Sequence, residues 1–385
     1  MLALAVLARL PLGINALAIV LLMRHEGYAF GAAGAGAGAM AIGVGASGPY
    51  ISRLIDRRGQ REVLAPLALM HAAGLALIVV VALAHAPVLA VVAATLIAGI
   101  AFPPIGSVMR PLWPRLLADQ PDLLTSAFAL DAAFVELSFV TGPLITAAIV
   151  AVTSPAPALA VSAASSVIGT LWLTAMPPSR AFVPTPRDES RHFLGALQSP
   201  GVQTLVASTL PIGFCFGAVE VTFPAFAEDV ATRGTAGILL AIWSLGSGFG
   251  GILYGARHWR LPAFRRYPRC AIAVPIGFLP LALPGSVPLM VPFAFFAGLS
   301  IAPLLSTGSH VVGEIAPEGT ITEAFTWPIT ALVIGISAGN AAAGALVEAA
   351  DWRVSFLVGA GCAMVGSVLA FARRGTLGLA PASTA

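Results

Sequence analysis

The chain has 385 residues, 58% of them hydrophobic and only 10% charged, with a net charge of +3. A soluble domain carries roughly 25% charged residues, so a chain this long and this poor in charge cannot cover a water-facing surface. It can be stable if its solvent is lipid, and its small positive charge makes no case for nucleic-acid binding.

Twelve apolar stretches of about 20 residues, the length that crosses a bilayer, follow one another. They are predicted at 2–23, 28–51, 63–84, 87–109, 125–151, 156–176, 202–227, 234–256, 268–285, 287–311, 321–347 and 354–372. The first is followed by so many others that it reads as a retained span, not a cleaved signal. The second is rich in glycine. In the ninth and tenth, Pro275, Pro280, Pro284, Pro288 and Pro292 interrupt the pattern, which predicts two kinked helices whose freed backbone groups are satisfied by neighbours. Between the sixth and seventh spans, Pro177, Pro178, Pro184, Pro186, Asp188 and Glu189 mark a linker over 177–201. The expected fold class is an all-α integral membrane protein: a six-helix bundle at 1–176, the linker, and a second bundle at 202–385.

The halves resemble each other. Leu10-Pro11-Leu12-Gly13-Ile14 answers to Leu210-Pro211-Ile212-Gly213-Phe214. Further on, Ala41-Ile42 matches Ala241-Ile242, Gly48 matches Gly248 and Arg57 matches Arg257. With a slight drift, Ala127-Phe128 answers to Ala324-Phe325 and Gly142 to Gly339. A very hydrophobic chain built from two related bundles points to a transporter, not an enzyme.

All 20 basic residues are arginines. With both termini placed on one side, that side receives 16 of them and the other receives Arg24, Arg233 and Arg353, while Arg9 falls within the first span. The excess marks the cytoplasmic face. The expected location is the cell inner (plasma) membrane, multi-pass, with both termini cytoplasmic.

The segment after the second span reads Ser52-Arg53-Leu54-Ile55-Asp56-Arg57-Arg58-Gly59-Gln60-Arg61. It resembles the signature loop of the major facilitator superfamily through Leu54, Asp56, Arg57, Gly59 and Arg61. It departs from that loop at Ser52, usually glycine, and at Gln60, often basic. The resemblance covers essentially the whole chain and implies two pseudo-symmetric six-helix bundles, a monomer, and a cytoplasmic latch. A carboxylate at Asp56 can cap the positive N-terminus of another helix, and the eleventh span begins near Glu323. Arg57 and Arg110 offer counter-charges. The latch is therefore read as Asp56, Arg57, Gly59, Arg61, Arg110 and Glu323; the plainer alternative is that these arginines only set topology. In the fifth span Gly142-Pro143 resembles a fragment of the superfamily's exporter motif, without its flanking glycines, and is also a common helix kink.

Four carboxylates fall inside spans: Asp131 and Glu136 in the fifth, Glu220 in the seventh and Glu323 in the eleventh. An acid at the helix centre costs about 2.5–3.5 kcal/mol on insertion, so it usually faces a cavity or a partner. Glu136 and Glu220, nearest mid-membrane, are the proton-coupling candidates, with Asp131 third; each could instead bind two helices together. Asp131 and Glu136 stand about 140° apart on an ideal helix. Asn15, Trp243, Trp327 and Asn340 are candidate cavity residues, the two indoles because they can stack on a ring, although packing is an equal reading. Asn15 occupies the helix in which many proton-linked exporters of the superfamily resemble one another in carrying a carboxylate; this chain has none deep there. His310 reads as an interfacial residue. Phe102-Pro103-Pro104 and Ala302-Pro303 look like matching kinks of the fourth and tenth spans.

Cys215, Cys270 and Cys362 show no metal or disulfide spacing, and there is no Walker loop. No cofactor, no metal and no nucleic acid is expected. The implied partners are a small-molecule substrate, protons and the lipid bilayer. The function expected is proton-coupled export of a small organic molecule such as a drug-like compound, a sugar or a metabolite. The alternatives are a nutrient importer or facilitator, or a non-transporting sensor or scaffold.

Overall fold

The computed structural model describes residues 2–106, 109, 124–177, 195–257, 259–317 and 321–378, with backbone alone at 2–5, 49, 56, 124–132, 233 and 321–323. The described residues form α1 (Leu2–His25), α2 (Phe30–Arg58), α3 (Gln60–Leu83), α4 (Val88–Ile100), α5 (Leu124–Val152), α6 (Ala156–Ala175), α7 (Pro200–Val230), α8 (Arg233–Gly255), α9 (Ala263–Phe278), α10 (Val287–Gly298), α11 (Ile301–Ile315), α12 (Ile321–Ala349) and α13 (Trp352–Ala372). Ten stretches are long and apolar enough to cross a membrane, α10 and α11 together making one of them. The remaining two expected spans are shorter helices, α4 and α9. The linker lies outside the described residues, apart from its ends.

The differences from the expected boundaries are physical. Helix α4 stops at Ile100 because Pro103 and Pro104 carry no amide hydrogen to continue the ladder; the chain turns through Ala101–Pro104 and is helical again at Ile105. The matching break in the tenth span falls at Leu299–Ser300, between α10 and α11, and Pro303 sits harmlessly in the first turn of α11. After α9 the chain tightens into a 3₁₀ turn, Leu279–Ala282, that contains Pro280.

The chain divides into two compact units. One comprises Met1–Arg187 with Thr232–Ala241, and the other Asp188–Ala231 with Ile242–Ala385. In the first unit α1 packs on α5 and α6, α3 on α6, and α2 on α4. In the second, α7 packs on α12 and α13, and α9 on α13 and α11. Apolar side chains cover the outside as well as the core: Leu89, Ile168, Trp172, Ile252, Leu283 and Val368 are all exposed. Such a surface belongs in lipid.

Close helix crossings carry the repeat. A methyl group at Gly43 would sit 2.6 Å from the Leu96 carbonyl oxygen, and one at Gly246 would collide with the Phe295 carbonyl oxygen and lie 3.2 Å from Gly298 Cα. Gly99 and Gly298 close the same crossings from the other side, against Met40 and Trp243. The crossing therefore pairs Gly43 with Gly246. This corrects the match of Ala41-Ile42 with Ala241-Ile242: in this helix the repeat slips by three residues.

Candidate functional site

The second unit brings together two of the residues singled out in the sequence. Helices α7 and α12 approach through small residues: Gly213 faces the Leu332 carbonyl, Gly217 faces that of Ile336, and Gly335 and Gly339 face Leu210 and Phe214. Glycine at such a crossing lets the backbones close in. Glu220 follows Gly217 by three residues and Asn340 follows Gly339 by one, so the two side chains meet across the crossing. Asn340 Nδ2 donates to Glu220 Oε2 at 3.1 Å. Asn340 is 1% exposed, while Glu220 keeps part of its surface open. The Asn340 Oδ1 atom has no hydrogen-bond partner among the described residues.

Trp243 belongs to an aromatic group beside this pair. Its ring meets Phe216 and Phe278 edge-on, each at 6.1 Å, and the two phenyl rings are 5.9 Å apart. Phe216 lies one helical turn before Glu220 on α7, hence on the same face. The indole Nε1 is buried, again without a hydrogen-bond partner among the described residues. The second unit therefore offers a carboxyl group, an amide oxygen that can accept, an indole N–H that can donate, and three aromatic rings.

Asn15 is placed differently. It is buried inside the first unit, where Ser162 Oγ donates to its Oδ1 at 2.5 Å and its Nδ2 faces His71 Nε2 at 3.4 Å. Both ends of the amide are used within the unit. Glu136 is half-buried on α5 and Trp327 half-buried on α12. The side chain of Asp131 lies outside the described residues. Gly142 is a contact residue: a methyl group there would lie 2.7 Å from Gly13 Cα on α1. Helix α5 continues unbroken through Pro143. His310 is exposed on α11.

The signature segment is helical rather than a loop. Helix α2 runs to Arg58 and α3 begins at Gln60, so Gly59 alone makes the turn, with φ 96° and ψ 160°. That backbone region is open essentially to glycine, which gives Gly59 a reason independent of any latch. Ile51 and Ile55 bury into a cluster with Ala8, Val63, Leu64, Ile105, Met109 and Leu173, while Arg53, Arg57, Arg58 and Arg61 are exposed. The side chains of Asp56 and Glu323, and Arg110 as a whole, lie outside the described residues.

Against this geometry stand the comparisons with known proteins. Residues 1–287 match the family model of the Major Facilitator Superfamily. The chain belongs to the Major Facilitator Superfamily. It is a multi-pass membrane protein and a transporter of the secondary type rather than an enzyme. Its fold is similar to that of the nucleoside transporter NupG, at a TM-score of 0.74 and 16% identity over 97% of this chain and 98% of that one. It is similar to the human organic anion transporter MFSD10 (TETRAN) at 0.65 and 16% over 96% and 98%. A bacterial homolog of the human lysosomal transporter Spinster gives 0.71 and 15% over 99% and 98%. No curated protein matches the chain. At these identities the likeness establishes the superfamily's fold.

Sequence reasoning passed over His71 and Ser162. The signal was present: an ionisable ring in the middle of an apolar span is a functional candidate by default.

Proposed function

We propose that the protein couples the export of a small organic molecule to the entry of protons, by alternating access of the two bundles, residues 1–176 and 202–385, joined by the linker 177–201. The observation that carries this reading is the Asn340–Glu220 hydrogen bond at the α7–α12 crossing. A carboxyl at membrane depth is retained at a cost, so its presence argues for use. Held by Asn340 and still partly open, Glu220 can trade a proton for a polar group of the substrate, with Trp243, Phe216 and Phe278 receiving the ring. Asp131 and Glu136 are the candidate proton groups of the first unit, and Trp327 and Asn15 remain cavity candidates. Asp56, Arg57, Gly59, Arg61, Arg110 and Glu323 are proposed as the latch of one state of the cycle. The outward direction is read from Gly142-Pro143, and the 16 arginines of one face support a cytoplasmic location for both termini.

The test uses inside-out vesicles under an inward-acid pH gradient and a chemically broad panel of compounds. The expected result is substrate-induced proton release with wild-type protein and none with the Glu136→Gln, Glu220→Gln double variant. Release that persists in the double variant would overturn the role of these carboxyls. Uptake of a compound with no proton movement, by protein shown to be inserted, would favour a facilitator.

A further inference from the structure

The first unit holds a buried ionisable ring that the reading above does not use. His71 stands in the middle of α3 and is fully buried. In a continuing helix the amide of Phe102 would close on the Ala98 carbonyl; at the end of α4 it bonds Gly99 instead, at 3.1 Å. The freed Ala98 oxygen is met by His71 Nδ1 at 2.8 Å. A carbonyl only accepts, so Nδ1 carries a hydrogen. On the far side of the ring, Ser162 donates to Asn15 Oδ1, which turns the Asn15 NH₂ towards His71 Nε2. Nε2 therefore presents its lone pair, and the network is complete with a neutral ring.

We propose that His71 is a proton-binding site of the first unit, and that the Asn15 amide turns over when the proton arrives. A proton on Nε2 would face the Asn15 NH₂, donor against donor. Half a turn of the amide brings Oδ1 to the new Nε2–H and Nδ2 to Ser162 Oγ. The Ser162 hydroxyl accepts with a free lone pair and directs its own hydrogen to a carbonyl of the preceding turn. One proton is bound at one nitrogen, the charge rises by one, and every polar group keeps a partner in both states.

Three observations support the site. The fold does not require it: Gly74 against Ala98 has its counterpart in Gly277 against Ala297, where added methyl groups would lie 2.8 and 3.1 Å from the alanine Cα atoms. Three residues before Gly277 the second unit has the fully buried Val274, where the first has His71. A route leads to it: Ser166 and Thr170, one and two turns beyond Ser162 on α6, are buried hydroxyls without a hydrogen-bond partner among the described residues. Successive hydroxyls are about 6 Å apart along the helix, a step that one water bridges. Gly169 lies against Ala8, so the row descends to the level where Ala8 and Arg9 line a cavity of about 180 Å³. The ring is also read out there. Phe102 meets His71 edge-on at 5.2 Å and lines the same cavity.

Among the described residues no fixed charge faces the ring. Helices α4 and α6 carry no charged residue. On α1, Arg9 and Arg24 lie six and nine residues from Asn15, with His25 beyond; on α2, Tyr50, Arg53, Asp56, Arg57 and Arg58 occupy the last turns; on α3, Arg61 and Glu62 lie in the first turn. The inference stands apart from Glu220.

The test is nuclear magnetic resonance of the full-length protein in lipid nanodiscs, labelled with ¹⁵N in the histidine rings and the asparagine side-chain amides. Replacing the other five histidines together assigns His71 without touching its network; His71→Gln assigns it by loss of its pair of ring-nitrogen signals. At high pH the expected ring carries hydrogen on Nδ1 and none on Nε2. On acidification Nε2 gains its proton, and the Asn15 side-chain amide shifts with the same midpoint. Ser166→Ala with Thr170→Ala should slow the exchange and leave the midpoint in place. A hydrogen on Nε2 at high pH, a ring that stays neutral wherever transport responds to pH, or an Asn15 amide indifferent to the titration would each overturn the proposal.

Discussion

The two units share a backbone plan and differ in where they keep polar groups. In the first, an ionisable ring is buried between helices: Ser162, Asn15, His71 and the Ala98 carbonyl join α6, α1, α3 and α4. In the second, the counterpart of His71 is Val274, and the acid stands elsewhere, at the α7–α12 crossing with Asn340. The glycine crossings are common to both. Repetition therefore fixes the packing, and the chemistry lies in what each copy adds to it.

The comparison breaks most severely if a shared crossing is filled. Gly43→Val and Gly246→Val should each cost about 3 kcal/mol or more, because the added carbon meets backbone that cannot yield. The check is the unfolding midpoint in detergent, and a large loss at one site with tolerance at the other would mean that the crossings are not equivalent. Next is the removal of one polar partner. A buried polar group left without its partner costs about 1–3 kcal/mol, so Asn340→Ala should lower coupled transport by about tenfold, measured as substrate-driven proton flux.

Making the first unit resemble the second sharpens the contrast. His71→Val strands the Asn15 amide and the Ala98 carbonyl, at about 1–3 kcal/mol for each buried group left unmet. Adding Asn15→Ala should recover part of that loss; strictly additive losses would show that the residues do not act together. Gly59→Ala, at the α2–α3 turn, should cost about 1–3 kcal/mol through its positive φ alone. The smallest effect is expected at Arg353, 3.9 Å from Asp351, with both side chains about half exposed at 46%. Arg353→Gln should shift stability by less than about 1 kcal/mol even with its stacking over Trp352.

Much of this was legible in the sequence, for identifiable reasons. Span length and charge placement announced the helices, and Glu220, Asn340 and Trp243 stood out as polar or aromatic groups in apolar runs. The joining of Glu220 to Asn340 was not legible, since it depends on a crossing between helices more than 100 residues apart. The same holds for His71 with Asn15 and Ser162. The signature segment misled in one respect. Its resemblance to a signature loop suggested a loop, yet Ile51 and Ile55 need the helix to reach the core, and the turn shrinks to Gly59 alone. The three-residue slip at Gly43 and Gly246 was hidden because alanine and glycine recur often enough to match in several registers.

The central claim is that Glu220 exchanges a proton for substrate. Infrared difference spectra of the reconstituted protein, taken with and without a transported compound, test it most directly. The account predicts a protonated carboxyl band that disappears on substrate binding in wild type and is missing in Glu220→Gln. A variant spectrum that superimposes on the wild type, with transport intact, would contradict it.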